Sequence, residues 1–438
     1  MNISSRMRTF VYALCIGGIN SLHAQAPNMV IDTIPTSSFQ AGASLNLIAI
    51  SRDGSTAYVP DAAHNTVYTI RTSDFVVTGT VSDPHSILQD PQYIAITPDG
   101  TKAYISNVSS SHYSVGILDI TSNSITGSIT GSFNFPIGIA FTPNGNIAYI
   151  ANNNGASVNV VDVIHDTVVS TLTGSFNKPS FIATSPVGTK AYVSNLLGNN
   201  VSIVMNNAVT GTVGGAFVIP EGIAITPNGS TAYVANATAN RVNIVDVVSN
   251  VVTGTVSAVA GAFHTPFLIA ITPDGTMAYV TNRNGSAVSI IDLVTNMVTS
   301  TVSVGTLPNG LAITPNGQEV WVVNAGDDSI SIIGSAISSP TQVRGCKTQN
   351  AFLTQTEYVN VLTWQPPTRS TAVKYVIYRD AALTDVAGTV LATANPLQFL
   401  DRNRNPRATY TYYIVAFDAA GNSSPAAVIT VTQACPKK

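Results

Sequence analysis

Side chains able to do acid–base or metal chemistry are scarce in this 438-residue sequence, which has six histidines and only three glutamates, Glu221, Glu319 and Glu357. Asp61, His64, His85, Asp90 and His112 fall in one short span. Imidazoles and carboxylates brought together by adjoining loops can hold a metal or a polar ligand. Lys178, Glu221 and His264 extend that set further along the chain, with Asn134 and Asn309 in comparable positions. The plainer reading makes all of these ordinary solvated loop residues. No linear motif overrides it: there is no GxSxG nucleophile elbow, no HExxH, no CxxCH and no phosphate-binding glycine loop. The three glutamates also lie in different repeats or domains. No catalytic residue, metal or cofactor is therefore expected, although a ring of loops can assemble a site from scattered residues.

The elements that must position these side chains are repeats. Residues 268–302 read LIAITPDGTMAYVTNRNGSAVSIIDLVTNMVTSTV, four short apolar runs separated by turns. Thr-Pro-Asp-Gly suits a type I turn, because Pro presets φ, Asp tolerates the third position and Gly accepts a left-handed backbone. Such a turn closes a three-residue hairpin. The aligned second-strand aromatics are Tyr58, Tyr104, Tyr149, Tyr192, Tyr233, Tyr279 and Trp321, spaced 41 to 46 residues apart. Four antiparallel strands per copy make one propeller blade, and neighbouring blades cover each other's faces. An all-β, seven-bladed β-propeller is thus expected over residues 27–338. NMVIDTI at residues 28–34 matches NMVTSTV at residues 296–302, and the seventh copy lacks this outermost strand. The N-terminal strand is therefore expected to complete the last blade and remove an exposed edge.

On such a ring, one face is built from the loops linking second to third strands and those entering each first strand. His64, His85, His112 and His264 fall on that face, and His165 on the other. Asn134, Lys178, Glu221 and Asn309 stand at the mouths of first strands. A ligand is expected on this face, toward the first two copies.

The chain opens with an address. Arg6 and Arg8 precede an apolar run ending at His-Ala-Gln-Ala, the layout of an export signal over residues 1–26 with cleavage near Ala24 or Ala26. Cys15 lies inside the apolar run, which suits a lipoprotein site poorly. Charged residues make up 9% of the sequence and mean hydropathy is +0.26. No later segment approaches the roughly 20 apolar residues of a helical span. The positive value comes instead from strands buried on both faces.

The recurring Ile-Thr-Pro-Asp/Asn-Gly followed by Ala-Tyr-Val-x-Asn resembles the YVTN family of propeller repeats, whose tetrapeptide stands at Tyr279–Asn282. The first copy departs most, with Arg52 for the turn proline and Asp61 for the asparagine. The resemblance implies a fold and an exported, surface-layer-like setting, and no particular activity. The repeated asparagines are either a ring of channel amides or caps of the turn after the second strand, and repetition favours the caps. The third-strand aspartates Asp119, Asp162, Asp246 and Asp292 likewise precede turns and are read as structural.

Beyond Pro340 the repeat stops. VNVLTW, KYVIYRD and TYTYYIVAFDAAGNSSP resemble a fibronectin type III module over residues 339–438, an immunoglobulin-like β-sandwich. Trp364 matches its core tryptophan and Tyr410 its tyrosine corner. In that sandwich the first strand runs parallel beside the last, so Cys346 and Cys435 are expected to form a disulfide, which suits export.

Residues 28–338 carry 7 Lys/Arg against 17 Asp/Glu, whereas residues 339–438 carry 10 against 5. An acidic propeller is a poor partner for phosphates, so nucleic acid is disfavoured. Arg402, Arg404 and Arg407 cluster in one loop of the small module. They suit an anionic envelope polymer or a merely solvated loop. The function expected is that of an exported, monomeric, non-enzymatic propeller binding an envelope protein or glycan. The alternative is a propeller enzyme, either a lactonase-like hydrolase or a quinoprotein-type oxidoreductase.

Overall fold

The computed structural model describes residues 28–186, 190–334, 340–351, 356–367, 372–394, 396–417, 423–424, 426–432 and 434–435. The export signal expected over residues 1–26 lies outside them. The chain divides into two compact units at residues 338/339.

The larger unit contains seven four-stranded antiparallel sheets among its described residues. Six take their strands in chain order, as in Pro266–Ile271, Met277–Asn282, Ala287–Asp292 and Met297–Ser303. The seventh joins Pro308–Ile313, Glu319–Asn324 and Ser329–Gly334 to Met29–Ile34 from the start of the chain. Met29 lies opposite Gly334 and Ile34 opposite Ile330, so the match between NMVIDTI and NMVTSTV reads the pairing correctly. First strands pack side by side. Ala49–Ile50 touches both Pro91–Ile96 and Pro308–Ile313, which closes the succession on itself.

Each sheet is held by its repeat residues. In the hairpin turns, Gly54, Gly100, Gly145, Gly229, Gly275 and Gly317 have φ of +71° to +77°, the left-handed region where a side chain is strained. Asp99 shows the rest of the device: its carboxylate accepts from Thr97 Oγ1 at 2.6 Å and from the Thr101 N–H at 3.0 Å. Neighbouring sheets are tied by the second-strand tyrosines. Tyr149, Tyr192 and Tyr233 donate to Asn207, Asn250 and Asn296 of the following sheet at 2.7, 2.7 and 2.6 Å. Tyr104 donates to Asp166 in the same way. The closing seam differs, because Trp321 meets Phe75 edge to face at 5.5 Å where other copies have a tyrosine and an asparagine or aspartate.

The repeated asparagines are structural, but not as caps of the turn that follows them. Asn107, Asn152, Asn195, Asn236 and Asn282 are buried, and none has a left-handed backbone. Each accepts a backbone N–H from 18 residues upstream, in the loop entering its own sheet: Gln89, Asn134, Asn177, Val218 and His264 respectively. The amide staples the entry loop to the second strand because a buried N–H has no water to bond. Asp119, Asp162, Asp246 and Asp292 accept N–H groups of the turns that follow them.

In the smaller unit, one sheet holds Thr341–Ala351, Thr356–Gln365 and Gln398–Asp401. The other holds Val386–Leu391, Lys374–Tyr378, Tyr410–Phe417 and Ala427–Val431. Trp364 is buried edge to face on Tyr375, with centroids 5.3 Å apart. Tyr410 Oη accepts the Asn405 N–H at 3.0 Å, while Tyr412, Ile414 and Ala416 are fully buried. Lys347 and Ala434 form a parallel bridge, and beside it the Cys346 and Cys435 sulfurs lie at disulfide distance, 2.15 Å.

Candidate ligand-binding site

Entry into six of the first strands is made by a residue with a left-handed backbone followed by proline: Asp90, Phe135, Lys178, Ile219, Thr265 and Leu307, with φ of +48° to +56°. Such strain persists only where its surroundings impose it. The N–H groups of Asp90, Ile219 and Thr265 donate to Asn65, Asn199 and Asn240 in turns of the preceding sheet at 2.7 to 2.8 Å. The strand mouths are therefore fixed to one another.

The residue after each proline, with Asn46 as its counterpart in the first sheet, differs from copy to copy: Asn46, Gln92, Ile137, Ser180, Glu221, Phe267 and Asn309. Their side chains join across sheets in two arcs. In one arc, Asn309 Nδ2 donates to Asn46 Oδ1 at 3.2 Å, Asn46 Nδ2 donates to Gln92, and Gln92 Nε2 donates to Asp90 at 2.6 Å. In the other, Ser180 Oγ donates to Glu221 Oε2 at 3.1 Å. Arg283 stacks over the Phe267 ring, 4.9 Å from its centroid, within electrostatic reach of Glu221. Burial pushes the Glu221 carboxyl up to about 7, against the opposing effects of the Ser180 hydroxyl and Arg283.

One residue further along these strands the chemistry turns apolar. Leu47, Tyr93, Phe181 and Leu268 come from four different sheets, yet belong to one cluster with Phe267. Tyr93 and Phe267 lie 6.2 and 5.4 Å from Phe181, centroid to centroid. Burial pushes the Tyr93 hydroxyl up to about 12. Glycine occupies the same position in the other three sheets. A Cβ on Gly138 would stand 2.3 Å from Ser180 O, one on Gly222 2.4 Å from Phe267 O and one on Gly310 2.7 Å from Asn46 O. Large residues fill the centre only because glycine lets the intervening strands close in. The mouth is thus a polar layer over an apolar floor.

The residues named from sequence are placed unequally. Asp61 replaces the stapling asparagine of the first copy, accepting the Ser44 and Ala63 N–H groups at 2.9 and 3.1 Å and pairing with His64 Nδ1 at 2.7 Å. Asp90 belongs to the amide arc. His85 and His112 are exposed, and among the described residues no three of His, Cys, Asp and Glu are grouped to hold a metal. Lys178 donates to Asn154 at the rim, and exposed His264 borders an open recess of about 370 Å³ with Asn240 and Arg241. Asp90 and Glu221 are the candidates that lie in the two hydrogen-bonded arcs. Sequence reasoning missed Ser180, Arg283, Phe267, Asn46 and Gln92. Aligning the residue after each first-strand proline was the signal for all but Arg283 and Asn46, which follows Leu45.

No protein-family model matches the chain, and no curated protein does so either. Among solved structures, Kuenenia stuttgartiensis hydrazine synthase superposes with a TM-score of 0.59 at 20% identity, covering 68% of this chain and 97% of that one. The larger unit is a β-propeller. At that identity the likeness extends to the fold alone. Among the described residues no helix of this propeller protein is long and apolar enough to cross a membrane.

Proposed function

We propose that the protein is an exported, non-enzymatic binding protein. On this reading a seven-bladed propeller of the YVTN kind receives a ligand at its mouth, and a fibronectin type III-like module follows it. The observation that carries the reading is the column of unrepeated polar residues at the mouth, over an apolar floor, in a molecule whose other positions repeat. The seven sheets closed by Met29–Ile34 support the blade count. The tyrosine corner at Tyr410 supports the module, and Cys346 with Cys435 supports an oxidising compartment. The partner is an envelope protein or glycan. Nucleic acid is disfavoured by the acidic propeller.

The test is retention of cell-envelope material by the immobilised full chain. Retention is expected to fall in the Glu221→Gln/Arg283→Met double variant and to persist in His85→Ala/His112→Ala. The opposite pattern would move the site to the rim histidines.

A second reading rests on Glu221 alone, because a carboxyl near 7 is poised for general acid–base work. Hydrolysis of esters or lactones by the purified chain, lost in Glu221→Gln, would replace the binding reading with a hydrolase.

A further inference from the structure

Two entry loops of the larger unit are built alike, and one lacks a part that the other has. Residues 82–91 and 257–266 each lead in ten residues from an outer strand to a first-strand proline. Ser82 and Ser257 make the same parallel bridge to the following sheet, with Ser124 and Met297. Ser86 and Gly261 both have a left-handed backbone, and so do Asp90 and Thr265. Gln89 and His264 donate their N–H groups to Asn107 and Asn282. Asp90 and Thr265 donate theirs to Asn65 and Asn240. The match runs residue for residue, so Asp83 corresponds to Ala258, Leu88 to Phe263 and Thr66 to Arg241.

The Asp83 carboxylate closes its own loop, accepting the Ile87 and Leu88 N–H groups at 3.0 and 2.9 Å. Ala258 offers no acceptor in its place. The Ala262 N–H, counterpart of Ile87's, turns to the Val259 carbonyl at 3.1 Å, and the Phe263 N–H meets no acceptor among the described residues. Open space lies there instead: Ala258 and Phe263 line the recess of about 370 Å³ that Arg241 and His264 also border. That volume falls in the range of small-molecule sites, about 300–1,000 Å³. Among the described residues the Arg241 guanidinium meets one acceptor, the Ala216 carbonyl 3.1 Å from Nη2, and no carboxylate pairs with it. A Cβ on Gly261 would stand 3.6 Å from His264 Nε2, so the imidazole lies against the same loop. One loop thus carries a carboxylate and, at the matching position of the preceding turn, a threonine. The other has lost the carboxylate and carries an arginine.

We propose that the recess binds an external carboxylate in the role that Asp83 plays in the sister loop. The carboxylate accepts from the Phe263 N–H and from the Arg241 guanidinium, a charge-assisted pair. The body behind it is short and apolar, to suit Val256, Val259 and Phe263 in the wall. A free short-chain acid and a peptide C-terminus with a small apolar last residue share this chemistry. No residue of the recess belongs to the two arcs of the mouth, so the site is independent of the binding reading above.

Ligand-observed NMR titration of the full chain with butyrate, butyramide and inorganic phosphate tests this. Butyrate is expected to bind about ten-fold or more tighter than butyramide, the scale of one charge-assisted pair, and tighter than phosphate. Acetyl-Ala-Val with a free C-terminus, set against its amide, separates the two sources: the free peptide outbinds butyrate if a polypeptide end is the occupant, and falls behind it if a free acid is. Arg241→Met is expected to abolish the preference for butyrate over butyramide. Ala258→Asp restores the sister loop's carboxylate and is expected to shut butyrate out. Thermal melts establish that each variant folds, and the wild-type comparison stands whatever the variants do. Equal binding of butyrate and butyramide, tighter binding of phosphate, or no binding of any probe overturns the proposal. So does undiminished butyrate binding in a folded Ala258→Asp chain.

Discussion

The two ends of the propeller differ in how far they repeat. At the hairpin-turn end, the same residues make the same bonds in copy after copy: threonine to aspartate or asparagine, glycine at positive φ, tyrosine to the next sheet. At the mouth, the position after the strand proline holds a different mixture of amide, hydroxyl, carboxyl and apolar side chains around the ring. A repeated residue answers a demand that every sheet makes, namely to close a turn or satisfy a buried N–H. An unrepeated one at an equivalent position answers no such demand, and in this molecule Asn309, Asn46 and Gln92, and Ser180 and Glu221, hydrogen-bond to one another across sheets. Repetition marks the scaffold, and its loss marks the candidate site.

Perturbations can break or sharpen that contrast. The largest effect is expected from deleting residues 29–34, which strips the fourth strand from the closing sheet and exposes its edge. The melting temperature of the full chain should fall by roughly 10 °C, since each kcal/mol is worth about 2–4 °C in a domain of this size. An unchanged melt would show that closure contributes little. Gly222→Ala is next, because its methyl meets the Phe267 carbonyl at 2.4 Å and the Leu268 Cα at 2.7 Å. A loss of about 1–3 kcal/mol is expected from such overpacking, read by chemical denaturation. Tyr104→Phe removes one seam bond to Asp166 and should cost about 1–2 kcal/mol. A neutral result would mean the ring edges pack without it.

Glu221→Gln tests the other end of the comparison through pH. The folded carboxyl is raised from its ordinary 4.5 to about 7, so the native state holds its proton more tightly than the unfolded chain. The wild type should therefore lose stability as pH rises from about 4.5 to about 7, relative to a variant that cannot ionise there. Parallel stability curves for the two proteins across that window would contradict the assigned burial. The smallest effect belongs to His85→Ala, an exposed loop residue whose loss should change stability by less than about 0.5 kcal/mol.

Much of this was legible from composition and spacing. The 41-to-46-residue period and the NMVIDTI match fixed the sheets and their closing strand, because strand pairing follows from buried apolar runs and turn chemistry. Tyr410 and Trp364 were named from the resemblance to a fibronectin type III module, and Trp364 is buried while Tyr410 Oη accepts the Asn405 N–H. The asparagine staples were only half legible: a buried amide was readable, but its partner 18 residues away depends on where the entry loop passes. Of the residues named from sequence for the mouth, Asp90 and Glu221 lie in the hydrogen-bonded arcs. Histidines draw attention by their chemistry, yet His85 and His112 point into solvent. Arg283 was overlooked because a lone arginine after Tyr-Val-Thr-Asn gives no hint that it stacks on Phe267. Its role exists only once two hairpin strands are paired.

The closing sheet also sets an order of events. Met29–Ile34 is made some 300 residues before its partner Ser329–Gly334. Until then a Val- and Ile-containing strand has no lasting partner, and the ring cannot latch however well the intervening sheets have formed. Pairing at such sequence separation is slow and leaves an edge open to other chains. A nascent chain of this design therefore stays unlatched until Ser329–Gly334 has been made.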